Sequence, residues 1–447
     1  MSGVRNNFSR REFIRRAALT AAGLWAAPYV TSGLRAASPN GMLDHASFGG
    51  SGMARSDIRG ITRGRRARLV AVADVDLSKA RALKVDWPDV RIYQDWRELL
   101  DKEKSIDSVN VSVPDHMHAA MAMSAMRLGK QVYCQKPLTH DIYEARQLTE
   151  FARKKKLVTQ MGIQCHSGSV YREAVRIIQD GTMGKIKEVH AWSSKAWGDL
   201  SPRPDRNDPV PADFNWDFWL GTAAARPFIG DAYYHPNNWR KRLDFGTGTF
   251  GDMGCHIYDP VFNALGLTAP LSLRSEGPAP NRWNWAINAR IEYLFPGTAF
   301  TEGKTVKITW YDGDQRPPQH VQPPLGDERL PGQGSLFIGT KGMLLLPHIA
   351  RAQLFPEKDF ENWTRPEVTE NDHWQQFVEA CRGNGSTSAN FDYAGPLTEA
   401  VLLGSVATRF PQTTLEWNAK KLKFTNLPEA NQSVRRRYRK GWSVKGL

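Results

Sequence analysis

The chain has little cysteine, no long hydrophobic run and no internal repeat. Its four cysteines are far apart in 447 residues and show neither a disulfide framework nor the spacing of metal ligands. The mildly apolar stretch 17–30 is too short and too rich in alanine for a transmembrane helix, so no membrane span is expected in the mature protein. These absences leave a globular chain, 41% hydrophobic, that can form two or three domains.

The net charge of +14 is concentrated near the two ends of the sequence. Residues 1–37 hold six arginines and one glutamate, and residues 435–447 hold six basic residues and no acid. Because the rest of the chain is nearly balanced, no basic groove and no nucleic-acid role are predicted. The basic segment that follows residue 410 is interpreted as a solvated or subunit-docking arm.

Residues 1–37 are predicted to be a targeting segment outside the fold. Ser9-Arg-Arg-Glu-Phe-Ile14 combines paired arginines with apolar residues, as twin-arginine export signals do, and small residues follow at 36–38. An amphipathic cytoplasmic helix is the alternative. Twin-arginine export would deliver a folded protein to the periplasm with its cofactor already bound.

Residues 38–162 alternate between apolar runs and helical segments, which predicts a doubly wound parallel sheet of the Rossmann type. In its glycine-rich first turn, Gly49, Ser51 and Ala54 occupy the places of G-x-G-x-x-G/A, and Gly52 is an additional glycine. Such a turn brings a helix N-terminus onto a pyrophosphate. A simple glycine turn is the alternative.

Asp74 ends the apolar run about twenty residues after the glycine turn, where a carboxylate binds the ribose hydroxyls. A carboxylate there repels a 2′-phosphate, so NAD is favoured over NADP as the cofactor. Asp76, two residues later, is expected to cap the next helix.

Lys136 ends the β-rich run that begins at Gln131 and precedes a proline, which restricts its backbone to an extended conformation. A turn of this kind can direct one ammonium group at the place where cofactor and substrate meet. A solvated lysine in an ordinary turn is the alternative.

Residues 163–410 are predicted to form an α+β substrate and oligomerisation domain with a large, mostly antiparallel open sheet. Several strand-like segments lie between residues 288 and 346, and helices are expected at 372–381 and 396–410. An exposed sheet face favours a homo-oligomer, either a dimer or a tetramer.

Asp252 and His256 lie four residues apart in a segment that passes from glycines into a helix, so both side chains share one helical face. A carboxylate beside an imidazole raises its basicity, as a general base requires. An N-cap aspartate and a buried structural histidine are the alternatives.

Several motifs together resemble the Gfo/Idh/MocA family, which includes glucose–fructose oxidoreductase and inositol dehydrogenase, and in particular its twin-arginine-exported bacterial branch. The resemblance covers essentially the whole length. It rests on the glycine turn at 49–54, Ala73-Asp74-Val75, Cys134-Gln-Lys-Pro137, Met161-Gly-Ile-Gln164, Tyr171-Arg-Glu, Tyr234-His-Pro-Asn-Asn-Trp-Arg240, Gly251-Asp-Met-Gly-Cys-His256 and Tyr438-Arg-Lys-Gly-Trp442.

The resemblance implies an NAD-dependent oxidoreductase that acts on a CH–OH group of a sugar or polyol. It places the catalytic residues at Lys136, Asp252 and His256, with Gln135 replacing the customary glutamate. It places the cofactor-binding residues at Gly49, Ser51, Gly52, Met53, Ala54, Asp74, Val75, Val113, Pro114, His118, Gln135 and Lys136. It implies substrate contacts from Gln164, His235, Asn238, Trp239 and Arg240.

Other aromatic and imidazole side chains allow two further interpretations. Trp197, Trp216 and Trp219 are candidates for stacking on a sugar ring, with core or interface packing as the alternative. His116 and His118 form a pair at a strand end, but no third ligand stands at a suitable spacing, so no metal is predicted.

Export has a consequence for function, because the periplasm maintains no nicotinamide pool. One hypothesis is a dehydrogenase that keeps and recycles its cofactor. A second is redox-neutral chemistry through transient sugar oxidation, as in an NAD-dependent glycoside hydrolase, lyase or epimerase. A third is a carbohydrate-binding protein without activity.

Overall fold

Strands and helices alternate from residue 43 to residue 161 and form a parallel sheet. The protein was analysed as a computed structural model that describes residues 41–326 and 328–447, so the predicted export signal lies outside the described residues. The strands are β1 (Leu43–Phe48), β2 (Ala67–Ala73), β3 (Arg91–Tyr93), β4 (Ser108–Val111), β5 (Gln131–Cys134) and β6 (Thr159–Met161). Their order 3-2-1-4-5-6, with all pairs parallel, confirms the predicted Rossmann topology.

Helices cover both faces of this sheet. They are α1 (Met53–Thr62), α2 (Leu77–Arg81), α3 (Trp96–Lys102), α4 (Asp115–Arg127) and α5 (Ile142–Lys155). Helix α4 begins at Asp115, because Pro114 stands before the first helical residue and Asp115 is an acid in the first turn. His116 and His118 therefore belong to a helix and not to a strand end.

The second sheet confirms the predicted open, mostly antiparallel architecture. After α6 (Ser169–Gln179), its strands are β7 (Ile186–Ser193), β8 (Ser272–Ser275), β9 (Arg290–Pro296), β10 (Thr305–Asp312), β11 (Gln333–Gly339), β12 (Met343–Pro347), β13 (Gln353–Phe355), β14 (Thr414–Asn418) and β15 (Lys423–Phe424). Their order is 13-12-11-7-10-9-8-14-15, and β7 and β10 form a parallel pair. The remaining helices are α7 (Trp216–Leu220), α8 (Gly248–Leu265), α9 (His373–Cys381) and α10 (Phe391–Ala407).

One core joins the two sheets. Buried apolar residues of the Rossmann sheet, of α8 and α10 and of the second sheet belong to a single hydrophobic cluster. Arg146 of α5 donates to both carboxylate oxygens of Glu399 on α10, at 2.7 and 2.8 Å. Helices α5, α8 and α10 thus connect the two sheets and fix the position of the residues that face the space between them.

The basic C-terminal segment does not form the solvated arm that the sequence indicated. Strand β14 pairs with β8, and the chain then returns to the Rossmann domain. There the Arg436 guanidinium donates to Glu144 Oε1 from Nε at 3.1 Å and from Nη2 at 3.0 Å, and Tyr438 also donates to Glu144. Arg439 donates to the Gly221 carbonyl. Arg436 and Arg439 have carboxylate and carbonyl partners within the chain, which spacing alone does not reveal.

Candidate active site

A cavity of about 780 Å³ lies between the two domains. One end is formed by the glycine turn and Asp74, and the other by Lys136 and by Asp252 and His256 of α8. The three predicted catalytic residues therefore line the same cavity as the predicted dinucleotide turn.

The glycine turn has the geometry that a phosphate-binding loop requires. Gly49 has φ +101°, and a Cβ atom there would lie 2.4 Å from the Ser112 carbonyl oxygen, so no other residue fits without a backbone shift. Gly52 has φ +56° and faces open space, since a Cβ would meet no heavy atom within 4 Å. Helix α1 begins directly after Gly52 and has no acid in its first turn, which leaves its N-terminus suited to a pyrophosphate.

Asp74 lies beside this turn and holds it. Its Oδ2 accepts from Gly50 N at 2.8 Å and its Oδ1 accepts from Asp76 N at 2.9 Å. Burial raises the pKa of Asp74 to about 6. The expected capping role of Asp76 is confirmed, because its side chain accepts from Ser78 N and Lys79 N at the start of α2.

The residues present thus fit a dinucleotide. Its pyrophosphate would be held by the backbone of residues 49–53 at the start of α1, and its ribose by the free lone pairs of Asp74.

Lys136 forms the tightest ion pair of the cavity. Its Nζ donates to both Oδ1 and the backbone oxygen of Asp252, each at 2.7 Å. The peptide bond between Lys136 and Pro137 is cis. The side chains of Lys136 and Asp252 are 14% and 9% exposed, so this pair is largely removed from water.

Asp252 has three further partners. Arg240 donates from Nε to Oδ1 at 3.2 Å, Trp197 donates from Nε1 to Oδ2 at 2.8 Å, and Lys195 Nζ lies 3.7 Å from Oδ2. Burial alone would raise the pKa of Asp252, but the charges of Lys136 and Arg240 outweigh it and hold this pKa well below its usual value. Asp252 is therefore a permanent carboxylate.

Asp252 was predicted to orient the His256 imidazole, but the two side chains form no hydrogen bond through His256 Nδ1. His256 Nδ1 is buried and, within residues 41–326 and 328–447, has no hydrogen-bond partner, because Asp252 directs its oxygens at Lys136, Arg240 and Trp197. Burial lowers the pKa of His256 well below its ordinary value, and the charge of Lys136 lowers it further. His256 is a neutral imidazole, less basic than an aspartate partner would make it.

Gln135, which stands in place of the customary glutamate, faces a carboxylate. Its Nε2 donates to both oxygens of Asp57 on α1, at 3.1 and 2.9 Å. Asp57 also accepts from Ser112 Oγ at 2.7 Å and from Trp374 Nε1 at 3.0 Å. Burial raises the pKa of Asp57 to about 6. The amide of Gln135, just after β5, thus serves as a donor to the carboxylate on the helix.

Most residues predicted to bind the cofactor line the cavity. They are Gly49, Ser51, Gly52, Met53, Asp74, Val75, Val113, Pro114, Gln135 and Lys136. Ala54 and His118 lie behind the cavity wall. Ala54 packs against Gly49, and His118 has Nδ1 2.8 Å from the Pro137 oxygen and Nε2 2.8 Å from the Val113 oxygen. His118 thus ties the turn after Lys136 to the end of β4.

The predicted substrate residues divide into two groups. Gln164, Trp239 and Arg240 line the cavity. His235 also lines it but lies near the dinucleotide turn, with Nε2 3.9 Å from Asp76 Oδ2. Asn238 is half-buried, donates to the Ala232 carbonyl and is not among the residues that line the cavity.

The tryptophans also divide. Trp216 stacks on Trp219 with ring centroids 4.9 Å apart, in an aromatic cluster next to the cavity. The packing alternative therefore holds for Trp216, whereas Trp197 and Trp219 reach the cavity wall. His116 joins the same cluster, with its Nε2 3.0 Å from the Trp219 carbonyl oxygen.

Two further properties apply to the part of the chain that the structure describes. No three His, Cys, Asp or Glu side chains there converge as metal ligands, and His116 and His118 both face carbonyl oxygens. None of the helices in that part is both long and apolar enough to cross a bilayer.

Sequence reasoning missed several residues that line the cavity. Lys195 follows the end of β7, and Asn237 precedes the predicted Asn238. Lys79, Gln94, Trp96 and Asp115 complete the wall near the dinucleotide turn and α4. The position of Lys195 just after a strand of the second sheet was the available signal, since residues at strand ends often face a site.

Sequence comparison identifies both domains. Residues 46–163 match the GFO_IDH_MocA description "Oxidoreductase family, NAD-binding Rossmann fold", and residues 185–306 match "Oxidoreductase family, C-terminal alpha/beta domain". The chain belongs to the Gfo/Idh/MocA oxidoreductase family. The two matches cover more than half of the 447 residues, and they confirm the NAD-binding Rossmann domain.

Curated members of the Gfo/Idh/MocA family are similar over part of their length. Levoglucosan dehydrogenase of Pseudarthrobacter phenanthrenivorans is 22% identical over 192 residues, 43% of this chain and 40% of that protein. Inositol 2-dehydrogenase 1 of Saccharopolyspora erythraea is 31% identical over 145 residues, 32% of this chain and 43% of that protein. The chain spans about two fifths of the length of these relatives.

Solved Gfo/Idh/MocA-like structures match over most of the chain. The WlbA dehydrogenase of Bordetella pertussis, in complex with NADH and UDP-GlcNAcA, has a TM-score of 0.60 and 14% identity, covering 84% of this chain and 99% of that one. An inositol dehydrogenase homolog of Azotobacter vinelandii, with NADH and myo-inositol, has a TM-score of 0.57 and 18% identity, covering 84% and 98%. At these identities the likeness shows the fold.

Proposed function

We propose that the protein is an NAD-dependent oxidoreductase that oxidises a CH–OH group of a sugar, polyol or sugar derivative. The observation that carries this proposal is the position of Lys136, paired with Asp252, in a cavity that also contains the dinucleotide turn and His256. The relatives whose names contain levoglucosan and inositol support the carbohydrate class.

The side chains divide the work as follows. Lys136 donates two of its three N–H groups to Asp252, and the third is available for a substrate oxygen. As the carbinol loses its C–H electron pair as hydride, His256 takes the hydroxyl proton at Nε2, since Nδ1 is buried. The Lys136 ammonium stabilises the negative charge that develops on the oxygen. Bound NAD supplies the hydride acceptor, C4 of its nicotinamide.

The role of His256 as a neutral proton acceptor predicts both the effect of its replacement and the pH dependence of turnover. Replacing His256 by Ala is expected to lower turnover about 10²- to 10³-fold, because the hydroxyl proton loses its acceptor. Since burial and Lys136 lower the His256 pKa, the acid limb of the kcat/KM profile of the unaltered protein is expected well below pH 6.5. Steady-state kinetics from pH 4 to pH 9 measure both.

His320→Ala is the matched control, because His320 is an exposed histidine outside the cavity. Full turnover of the His256 variant, with an unchanged melting temperature, would remove His256 from the mechanism.

We also propose that the protein is exported to the periplasm and keeps its cofactor through each catalytic cycle. Support comes from the arginine pair at residues 10–11. A cofactor recycled in place favours a second candidate function: redox-neutral hydrolysis, elimination or epimerisation through a transiently oxidised sugar. The exposed side chains of Leu271 and Leu294 beside and on the large sheet support a homo-oligomer, a dimer or a tetramer.

Cofactor content tests the proposed function directly. We expect protein purified without added nucleotide, then denatured, to release close to one NAD per chain, measured by chromatography and mass spectrometry. An empty protein that binds added NAD would retain the dehydrogenase and contradict the recycled cofactor. A protein that binds no nicotinamide nucleotide would contradict both enzymatic functions and leave carbohydrate binding without catalysis.

A further inference from the structure

Positive charge exceeds negative charge at the catalytic end of the cavity. Lys136, Arg240 and Lys195 all lie within 3.7 Å of the single carboxylate of Asp252. Asp115 also lines this cavity. Its Oδ2 accepts a hydrogen bond from Thr247 Oγ1, and burial raises the pKa of its carboxyl group. Even with Asp115 ionised, three cations face two carboxylates.

The two imidazoles at and behind this wall, those of His256 and His348, add no negative charge. Burial lowers the pKa of His348 to about 4, with Lys195 and Lys136 contributing, and His348 Nδ1 lies 2.7 Å from the Tyr171 hydroxyl. His256, whose ring lies 5.7 Å from that of His348, is neutral for the same reasons. Asp74 lies at the opposite end, against the glycine turn.

Two of the three cations keep unused hydrogen-bond donors. Among the described residues, none accepts a hydrogen bond from Lys195 Nζ, since Asp252 Oδ2 at 3.7 Å is beyond hydrogen-bond length. Arg240 uses Nε for Asp252 and Nη1 for the Asn237 carbonyl at 3.5 Å, two of its five N–H groups. The Lys195 side chain is 45% exposed and that of Arg240 26% exposed, so water reaches their open donors until an anion replaces it.

Arg240 is held in place for such an anion. Its guanidinium carbon lies 4.3 Å from the ring centroid of Trp239 and 5.5 Å from that of Trp197. Because Trp197 also donates to Asp252, this ring is itself fixed. Contact with two rings restricts the orientation of the guanidinium, whose remaining donors lie in one plane, the geometry that suits a carboxylate.

We infer that the carbohydrate substrate is acidic, and that its carboxylate binds between Lys195 and Arg240 while the hydroxyl to be oxidised lies at Lys136. This inference rests on the proposed function and names the substrate class. An excess of one positive charge matches one carboxylate, as in a uronic or aldonic acid. Such an anion also offsets the charge of Lys195, which lowers the pKa of His256. Binding of the acidic substrate would therefore raise the pKa of the histidine that accepts its hydroxyl proton.

Binding measurements on the purified protein, with the cofactor it contains, test the inference. By isothermal titration calorimetry we expect glucuronate or galacturonate to bind about tenfold more tightly than glucose or galactose at low salt. This preference should shrink as ionic strength rises. Lys195→Gln is expected to weaken binding of the acid about tenfold and to leave binding of the neutral sugar unchanged.

Lys102→Gln is the matched control, because Lys102 is an exposed lysine on α3 that pairs with Glu98 outside the cavity. It removes the same charge and should alter neither affinity. Equal affinity for acid and neutral sugar, no binding of either acid, tighter binding of glucose 6-phosphate, or equal losses for both sugars in Lys195→Gln would each overturn the inference. A protein that holds NAD and oxidises neutral sugars would overturn the inference alone, whereas failure to bind NAD would overturn the proposed function.

Discussion

Replacing Lys136 by Ala is expected to lower turnover by about 10³-fold while the protein remains folded. The variant removes the ammonium that would stabilise charge on the substrate oxygen, and Asp252 keeps Arg240 and Lys195 as counter-charges. Because Asp252 is not left as an unpaired buried charge, we expect only a small change in the free energy of unfolding. Nicotinamide absorbance with the sugar that the unaltered protein oxidises, and the melting temperature, are the measurements.

Lys307→Ala provides the control for Lys136→Ala, since Lys307 is a half-exposed lysine of β10 outside the cavity. Lys136→Arg adds a second comparison, because it keeps the charge but changes the position of the donors. Unchanged turnover in Lys136→Ala would remove the lysine from the mechanism. Loss of folding in that variant would show instead that the ion pair with Asp252 is structural.

Restoring the family's glutamate by Gln135→Glu is expected to destabilise the protein, by on the order of 3 kcal/mol in the free energy of unfolding near pH 7. The substitution removes the donor to Asp57 and puts a second carboxylate about 3 Å away in a buried site. One carboxyl must then keep a proton in the folded state that the unfolded chain releases.

The pH dependence of this destabilisation follows from the sign of the shift. Burial already raises the pKa of Asp57 to about 6 in the folded protein, from an ordinary value of 3.8. A raised folded pKa means that stability is greatest below the ordinary pKa and is lost as pH rises through the folded pKa. The Gln135→Glu variant should therefore lose little stability near pH 4 and most above pH 6, as urea titrations at several pH values would measure.

Two further variants make the Gln135→Glu prediction specific. Asp57→Asn combined with Gln135→Glu moves the carboxylate to residue 135 and provides an amide donor on the helix, so part of the stability should return, although Ser112 or Trp374 loses an acceptor. Gln131→Glu is the matched control at the start of the adjoining strand β5, because its side-chain oxygen accepts from Val158 N, and we expect a change within about 0.5 kcal/mol. No recovery in the double variant would contradict the charge exchange.

The alternation of strands and helices was enough to predict the Rossmann sheet, whereas the grouping of Lys136 with Asp252 and His256 came from the family resemblance. Parallel strand order and the glycine turn depend on local periodicity and on backbone conformation, and both leave a strong pattern along the chain. The i, i+4 spacing of Asp252 and His256 likewise fixes a shared helical face.

The same spacing could not show which group Asp252 contacts across the cavity. Lys136 is 116 residues away in the chain, yet its Nζ donates to the Asp252 carboxylate at 2.7 Å. His256, one turn along the same helix, has its Nδ1 without a hydrogen-bond partner among the described residues. Asp57 and Lys195 were missed for the same reason, since their partners Gln135 and Asp252 belong to other elements. Contacts between elements depend on tertiary packing, which one sequence does not display.

Residues 436–439 pack on the Rossmann domain, so this domain can be completed only after the end of the chain has been synthesised. Glu144 and Asp141 stand at the start of α5, in the half of the chain that leaves the ribosome first, yet their arginine comes from residue 436. Until that residue emerges, two buried acids lack their cation, and the early domain cannot reach its final form. Completion of the first domain is thus a late event of translation, and a nascent chain arrested before Arg436 carries an unfinished dinucleotide domain.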